Sequence, residues 1–523
     1  MTATTNGTAT ALPSAPAPDA TTPATRGRPP TAAPRPWAAL LALVPAAAAL
    51  AICLRGLGER EMWNNEYATW HAITLSLGDF EELLRRTDLV HVVYYMVMRV
   101  WIDLVGDTPF QLRIPSAVAM AACAGLVTLI ARRLVGVPIG LAAGLLFAVI
   151  PAVSRYGQET RSYAAVTVAG AFATLMLLRA LERPAVPRLV AYGVSVALMG
   201  LVHFVSLTVL AAHFVLWLCA TRGEDDVERR WRLAFGCGFG LLGVIWLPAI
   251  ASHQSASISW IKADKAAILA FPADMFLSAP FALVLGVLSV LGAAYLWFAP
   301  SVRNRPVAGM LLAWAVVPPV FVLVTFPVLH MFLPRYVLVV LPAWAILAAT
   351  GAYLSGRLIW PHLGPATAVL TVAGVVWVGL PAHALVRQSP VDGQPDYRAA
   401  ITMIDQRQRP GDGVVFNDPF GRLSDLAREA WDYEMRDKRK PRDVFLDKTA
   451  AERASFSASE CAVAKSCLKN EPRLWVIYTG WSDDPFDGMP ADRAQLLELR
   501  YQTKQTVRFT DVDLVLLERR KVR

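Results

Sequence analysis

The sequence predicts a polytopic α-helical membrane protein that carries a small α/β domain at its C-terminal end. Three observations carry this expectation: about eleven apolar segments lie between residues 37 and 387, every second connecting loop is basic, and the composition changes after Arg387. Hydrophobic residues make up 55% of the 523 residues and charged residues 17%, the balance of a chain whose solvent is mostly lipid. The formal charge of +9 does not point to nucleic acid, because Lys and Arg are spread among short loops and never gather in a patch interleaved with aromatics.

Residues 1–36 are rich in Ala, Thr and Pro, with Arg26, Arg28 and Arg35 ahead of the first apolar run. Such a segment cannot bury enough surface to fold and reads as a disordered cytoplasmic tail, with a secretory signal peptide as the alternative. Spans are expected near 37–57, 113–133, 137–154, 162–180, 187–205, 206–221, 233–250, 279–299, 307–326, 335–353 and 365–386, each approaching the roughly 20 residues that crossing requires. With the N-terminus inside, Arg132 and Arg133, then Arg179, Arg183 and Arg188, then Arg222, Arg229, Arg230 and Arg232, then Arg303 and Arg305, and lastly Arg357 all fall on the cytoplasmic side. The first loop (58–112), the 154–163 turn, the 251–278 loop, the 327–335 turn and the C-terminal domain are thereby placed outside. Val90–Val105 is apolar too, but it is short and Arg99 and Asp103 interrupt it, so an amphipathic surface helix is expected there.

Beyond residue 387, helical spacing at Asp396–Arg409 and Ala491–Arg500 combines with strand-like runs at Gly413–Phe416, Arg473–Tyr478 and Asp513–Glu518 into an extracytoplasmic α/β domain (388–523). Cys461 and Cys467, its only cysteines, are expected to form a disulfide, free thiols being the alternative. Neither Cys-x-x-Cys nor a His cluster is present, so no metal site is expected. Gly411-Asp412-Gly413 reads as a turn before a strand, with too few glycines for a phosphate loop. Trp475, Tyr478 and Trp481 could stack on sugar rings, although packing explains the first two equally well.

Chemistry is expected in the polar loop Trp63–Asp88 and just after it, because ionisable groups at a span end are costly to keep near lipid. Glu66 is the leading general base, with capping of a loop helix as its structural alternative. Asp88 is the second acid or orienting group, and His91 either assists it or is structural. Arg155, Arg161 and Arg335 sit at outer span ends, where guanidinium forks can hold phosphate in a two-point grip; snorkelling, or pairing with Glu159, is the alternative. His330 could join them. Mid-span His213 reads as structural, and Lys262, Asp264 and Lys265 beside Trp260 as solvated loop residues.

Trp-x-x-Glu-x-x-x-Trp at Trp63–Trp70, Asp-x-x-His-x-x-Tyr-Tyr at Asp88–Tyr95, Leu-Arg-Ile-Pro-Ser at Leu112–Ser116, Arg155–Tyr163 and Leu-Pro-Arg-Tyr at Leu333–Tyr336 together resemble the GT-C glycosyltransferases. The similar branch is the bacterial one related to protein O-mannosyltransferases and to the aminoarabinose transferases of lipid A, over residues 37–387. The resemblance implies a plasma-membrane enzyme that moves a sugar, with inversion, from a polyprenyl-phosphate donor to a hydroxyl of a glycan, lipid or protein outside the membrane, without a cofactor. It implies catalytic Glu66 and Asp88, phosphate-binding Arg155, Arg161, Arg335 and His330, and substrate positioning by Asn65, His91, Tyr94, Glu159 and Tyr163. One departure stands out: relatives carry Asp-Glu where this chain has Asn65-Glu66, and an amide cannot take a proton at neutral pH. A catalytically inactive scaffold therefore stays open, as does a transporter of lipid-linked precursors, although neither internal repeats nor midplane polar groups are evident.

Overall fold

A computed structural model describes residues 37–183, 185–219, 225–242, 244, 261–299, 304–390, 394–418 and 426–521. The N-terminal tail, Pro248 and Trp260 lie outside the described residues. Among the described residues six helices are long and apolar enough to cross a membrane: Pro109–Leu134, Tyr163–Glu182, Ala279–Phe298, Asn304–Val324, Pro334–Ile359 and Gly364–Leu385. Five shorter apolar helices, Leu43–Leu54, Val137–Ala148, Val186–Val202, Phe204–Cys219 and Trp231–Leu242, fall where the other spans were expected. The chain is a multi-pass membrane protein.

Local chemistry explains the breaks within the expected spans. The 137–154 segment is two helices, because Pro151 restricts Ile150 to an extended backbone and a second short helix, Pro151–Tyr156, starts there. The first span divides into Trp37–Leu40 and Leu43–Leu54. Helix Pro109–Leu134 begins on a reciprocal cap: Thr108 Oγ accepts from the Gln111 amide, and Gln111 Oε1 accepts from the Thr108 N–H at 2.9 Å. Small residues bring spans together where lipid supplies no hydrophobic drive. At the crossing of Ala279–Phe298 with Leu341–Ile359, a Cβ on Gly292 would lie 2.1 Å from the Leu347 carbonyl oxygen, and one on Gly351 2.0 Å from that of Leu288.

The first loop is itself helical: α1 (Asn64–Thr74), α2 (Leu77–Arg86), a 3-10 turn at Leu89–His91, and α3 (Val92–Val105). As expected, α3 is a short helix with exposed Met96, Val97, Val100 and Leu104 and buried Tyr94, Tyr95 and Met98.

The C-terminal domain has helices α4 (Tyr397–Arg407), α5 (Ala427–Glu434), α6 (Ala464–Cys467) and α7 (Ala491–Arg500). Its strands are β1 (Gly413–Asn417), β2 (Arg442–Asp443), β3 (Leu446–Lys448), β4 (Ser459–Glu460), β5 (Arg473–Thr479), β6 (Tyr501–Phe509) and β7 (Val512–Arg519). The main sheet has the order β2-β1-β5-β7-β6, with β1 parallel to β2 and β5, and β7 antiparallel to β5 and β6. Strand alternation divides it into two faces. Val414, Phe416, Trp475, Ile477 and Leu514 pack with α4 and α5 and with Tyr67, Phe80, Tyr95 and Leu112 of the first loop region. Val415, Leu474, Val476, Val515 and Leu517 pack with α6 and α7. The first loop and the sheet domain therefore share one core, and Cys461 and Cys467 are disulfide-bonded.

Candidate active site

Everything at the rim is organised by Arg113, a fully buried guanidinium four residues into its helix. It donates to both Glu66 oxygens, from Nε at 2.8 Å and Nη2 at 2.7 Å, and spends its other donors on the carbonyls of Leu57, Arg60 and Glu61. Glu66, also 0% exposed, accepts in addition from the Thr160 amide at 2.9 Å and the Trp63 amide at 3.4 Å. Burial alone would raise its pKa, but Arg113, Arg60 and the Thr160 amide outweigh burial and hold the carboxyl down at about 2. A carboxylate with four donors on it and no exposure has neither a lone pair nor an approach for a substrate proton. Glu66 ties the first loop, the Pro109–Leu134 helix and the 154–162 turn together, which is nearer to the capping alternative than to an open base.

Asp88 differs in each respect. Its backbone is left-handed (φ 66°), its side chain is 22% exposed, and Oδ2 accepts from the Tyr95 hydroxyl at 2.6 Å. Oδ1 accepts no hydrogen bond among the described residues; His91 Nε2 lies 3.8 Å away. Burial pushes its pKa up, and the His91 imidazole, Arg161 and the Tyr95 bond together bring it below the ordinary aspartate value. Arg161 donates to Tyr95 Oη at 3.1 Å and approaches His91 Nε2 at 3.1 Å. A guanidinium can only donate, so Nε2 must be the acceptor and Nδ1–H points at Ser162 Oγ, 3.2 Å away. Burial, with Arg161 adding to it against Asp88, pushes the His91 pKa down to about 4. His91 is thus a neutral prop for Arg161 whose Nε2 has no proton to share with Asp88.

A second group gathers on Trp63. The Arg155 guanidinium lies 5.1 Å from its ring and that of Arg335 5.7 Å, so two cations flank one indole three residues before Glu66. Arg155 also donates to Glu159 at 2.7 Å. Tyr163 packs edge-on against Tyr156 at 5.5 Å and lies 6.2 Å from Tyr336, which stacks on His203 at 5.6 Å; His203 in turn faces His91 at 5.7 Å. This aromatic chain joins the arginine pair to the Asp88 group.

The structure thus brings Glu66, Asp88, His91, Arg155, Glu159, Arg161, Tyr163 and Arg335 to one rim. Tyr94 packs on Tyr95, and it is Tyr95 that donates to Asp88. Asn65 is half-buried on α1, and its carbonyl accepts from Thr69. His330 packs edge-on against Phe326 at 5.4 Å. His213 bonds Thr174 and Tyr192 inside the helices, as a structural residue does. Asp264 caps the helix Lys265–Phe276 through the Ala267 amide. Trp475 is core, Tyr478 is buried, and exposed Trp481 donates to the Phe509 carbonyl. Sequence reasoning missed Arg113, Thr160, Tyr95 and His203. Arg113 had a usable signal: a guanidinium inside an apolar run has to be paired. Among the described residues no group of three or more His, Cys, Asp or Glu could hold a metal ion.

The fold has counterparts among solved structures. The chain superposes on ArnT from Cupriavidus metallidurans in the apo state with a TM-score of 0.56 at 15% identity, covering 92% of this chain and 97% of that one. ArnT from the same organism bound to undecaprenyl phosphate gives 0.58 at 16% identity, over 92% and 98%. The fold is the GT-C fold of these structures. Residues 91–248 match the family described as dolichyl-phosphate-mannose-protein mannosyltransferase. No curated protein matched the sequence significantly.

Proposed function

We propose that the chain transfers a sugar from a polyprenyl-phosphate donor to an acceptor hydroxyl on the outer side of a bacterial plasma membrane, with the N-terminus inside and the sheet domain outside. Asp88 is the base: Oδ1 takes the acceptor proton, the acceptor oxygen bonds to the anomeric carbon, and the carbon–phosphate oxygen bond breaks with its electron pair on the departing polyprenyl phosphate. One displacement inverts the anomeric centre. The phosphate gains a negative charge as it leaves, and Arg155 and Arg335 beside Trp63 stabilise it where it forms. Arg161 belongs to the base rather than the phosphate, holding Tyr95 and His91 around Asp88. These guanidinium groups supply the positive charge a divalent ion would otherwise bring, so the reaction is read as metal-independent.

The observation that carries this reading is the contrast between two rim carboxylates, Glu66 saturated and closed off, Asp88 with one oxygen open. Purified protein given polyprenyl-phosphate mannose and an envelope acceptor extract tests it. Wild type transfers sugar and Asp88→Asn does not; transfer by Asp88→Asn at the wild-type rate removes Asp88 from the mechanism.

A further inference from the structure

The sheet domain has a site of its own. The chain leaves β1 through α5 to reach β2 on one side, then returns through β3, β4 and α6 to β5 on the other. α5 lies on the face shared with the first loop and α6 on the opposite face, so the two connections part at the carboxyl end of β1. In open α/β sheets this parting is where ligands bind. A cavity of about 440 Å³ occupies that place, lined among others by Asn417, Asp418, Arg428, Phe445, Glu460 and Arg493.

The walls state what the cavity accepts. Arg428 bonds Glu460 at 2.5 Å and Asp443 at 2.7 Å, and Arg493 bonds the other Glu460 oxygen. Among the described lining residues two guanidinium groups balance the carboxylates of Glu460 and Asp418, and an ionic ligand would have to break a pair already made. The arginines lie over aromatic rings, Arg428 at 4.8 Å from the Phe416 ring and Arg493 at 5.5 Å from Phe445, while Arg493 Nε is buried with no hydrogen-bond partner among the described residues. Planar donors beside carboxylate acceptors match the paired hydroxyls of a sugar. The volume falls within the range of about 300–1,000 Å³ usual for small-molecule sites.

We infer that this cavity binds a neutral saccharide of one or two rings, a glycan subsite separate from Asp88. Its link to transfer, as a grip on the acceptor glycan, rests on the proposed activity; the binding itself does not. The full chain in detergent, without donor, is titrated calorimetrically with mannobiose, galactobiose and a glucuronic-acid disaccharide. A neutral disaccharide binds saturably, and both Arg493→Gln and the cavity-filling Met489→Trp weaken it at least tenfold while Asp88→Asn leaves it unchanged. Failure of both neutral disaccharides to bind, tighter binding of the acidic one, or equal weakening by Asp88→Asn overturns the inference. Thermal unfolding accompanies each variant; should Arg493→Gln misfold, Met489→Trp decides, since it leaves the ion pairs intact. Loss of transfer in Asp88→Asn with saccharide binding retained keeps the two readings separable.

Discussion

Replacing Glu66 by Gln removes the negative charge from a closed guanidinium–carboxylate pair while keeping the shape of the side chain. The amide can accept at one oxygen only, so Arg113 is left buried with a donor and a charge uncompensated. Breaking a buried pair from one side costs about 3–5 kcal/mol. The depressed acidity offers an independent figure: a carboxyl moved from 4.5 to about 2 corresponds to about 3 kcal/mol at 1.36 kcal/mol per unit. The two agree, so Glu66→Gln is expected to lose about 3 kcal/mol in chemical unfolding of the purified protein. The folded carboxyl has the lower pKa, so its stabilising contribution is full above the unfolded value and is lost as pH falls from about 4.5 towards about 2. Between pH 5 and 8 the stability difference between Glu66→Gln and wild type should therefore be flat. A Glu66→Gln protein as stable as wild type yet unable to transfer sugar would refute this reasoning and return Glu66 to the chemistry.

Asp88→Asn should fold normally and lose roughly 10²–10⁴-fold in kcat, the range for a positioned base, with the donor KM little changed in steady-state assays. Because the Asp88 carboxyl is held below its ordinary value, wild-type kcat/KM should stay level through neutral pH and fall only on acidification below the usual aspartate range. Arg335→Lys keeps the charge but loses the fork, so it should raise the donor KM about tenfold, as an interaction difference of about 1.4 kcal/mol implies. Glu61, raised to about 9 by burial and then by its neighbour Asp396, binds its proton more tightly folded than unfolded. Wild-type stability should accordingly decline as pH rises from about 4.5 to 9, and the Glu61→Gln profile should be flatter. Addition of EDTA should leave the transfer rate unchanged.

Apolar runs are legible because each must match the thickness of lipid whatever its partners, so each expected span meets an apolar helix in the structure. Strands β1, β5 and β7 are legible for a similar reason, since their buried residues form continuous apolar stretches. Strand β6 is not: Gln502, Thr503, Lys504, Gln505 and Thr506 are all exposed on an edge, where polar residues protect against pairing with another chain. The candidate residues of the rim were legible by type, but their roles depended on partners far away in sequence. Glu66 meets Arg113 across 47 positions and Thr160 across 94. No local pattern distinguishes a carboxylate saturated by such contacts from one left open.

The same contacts explain how the chain accommodates Asn65. An acid at position 65 would matter most if the α1 segment supplied the base, yet its next residue is already consumed as a structural tie. That tie has mechanical consequences for Asp88. Glu66 holds the Thr160 amide, and the adjoining Arg161 and Ser162 are the groups that orient Tyr95 and His91 around Asp88. Thr69, one turn along α1, closes the loop by bonding the Thr160 carbonyl at 3.0 Å and receiving Arg161 at 3.4 Å. Thr69→Ala removes this second connection without exposing a charge. It should therefore lower kcat while leaving the stability loss well below that of Glu66→Gln, and the Thr69→Ser variant, which keeps the hydroxyl, should restore the rate. Rescue by Ser would separate placement of Arg161 from bulk packing, since the two substitutions differ mainly in the oxygen.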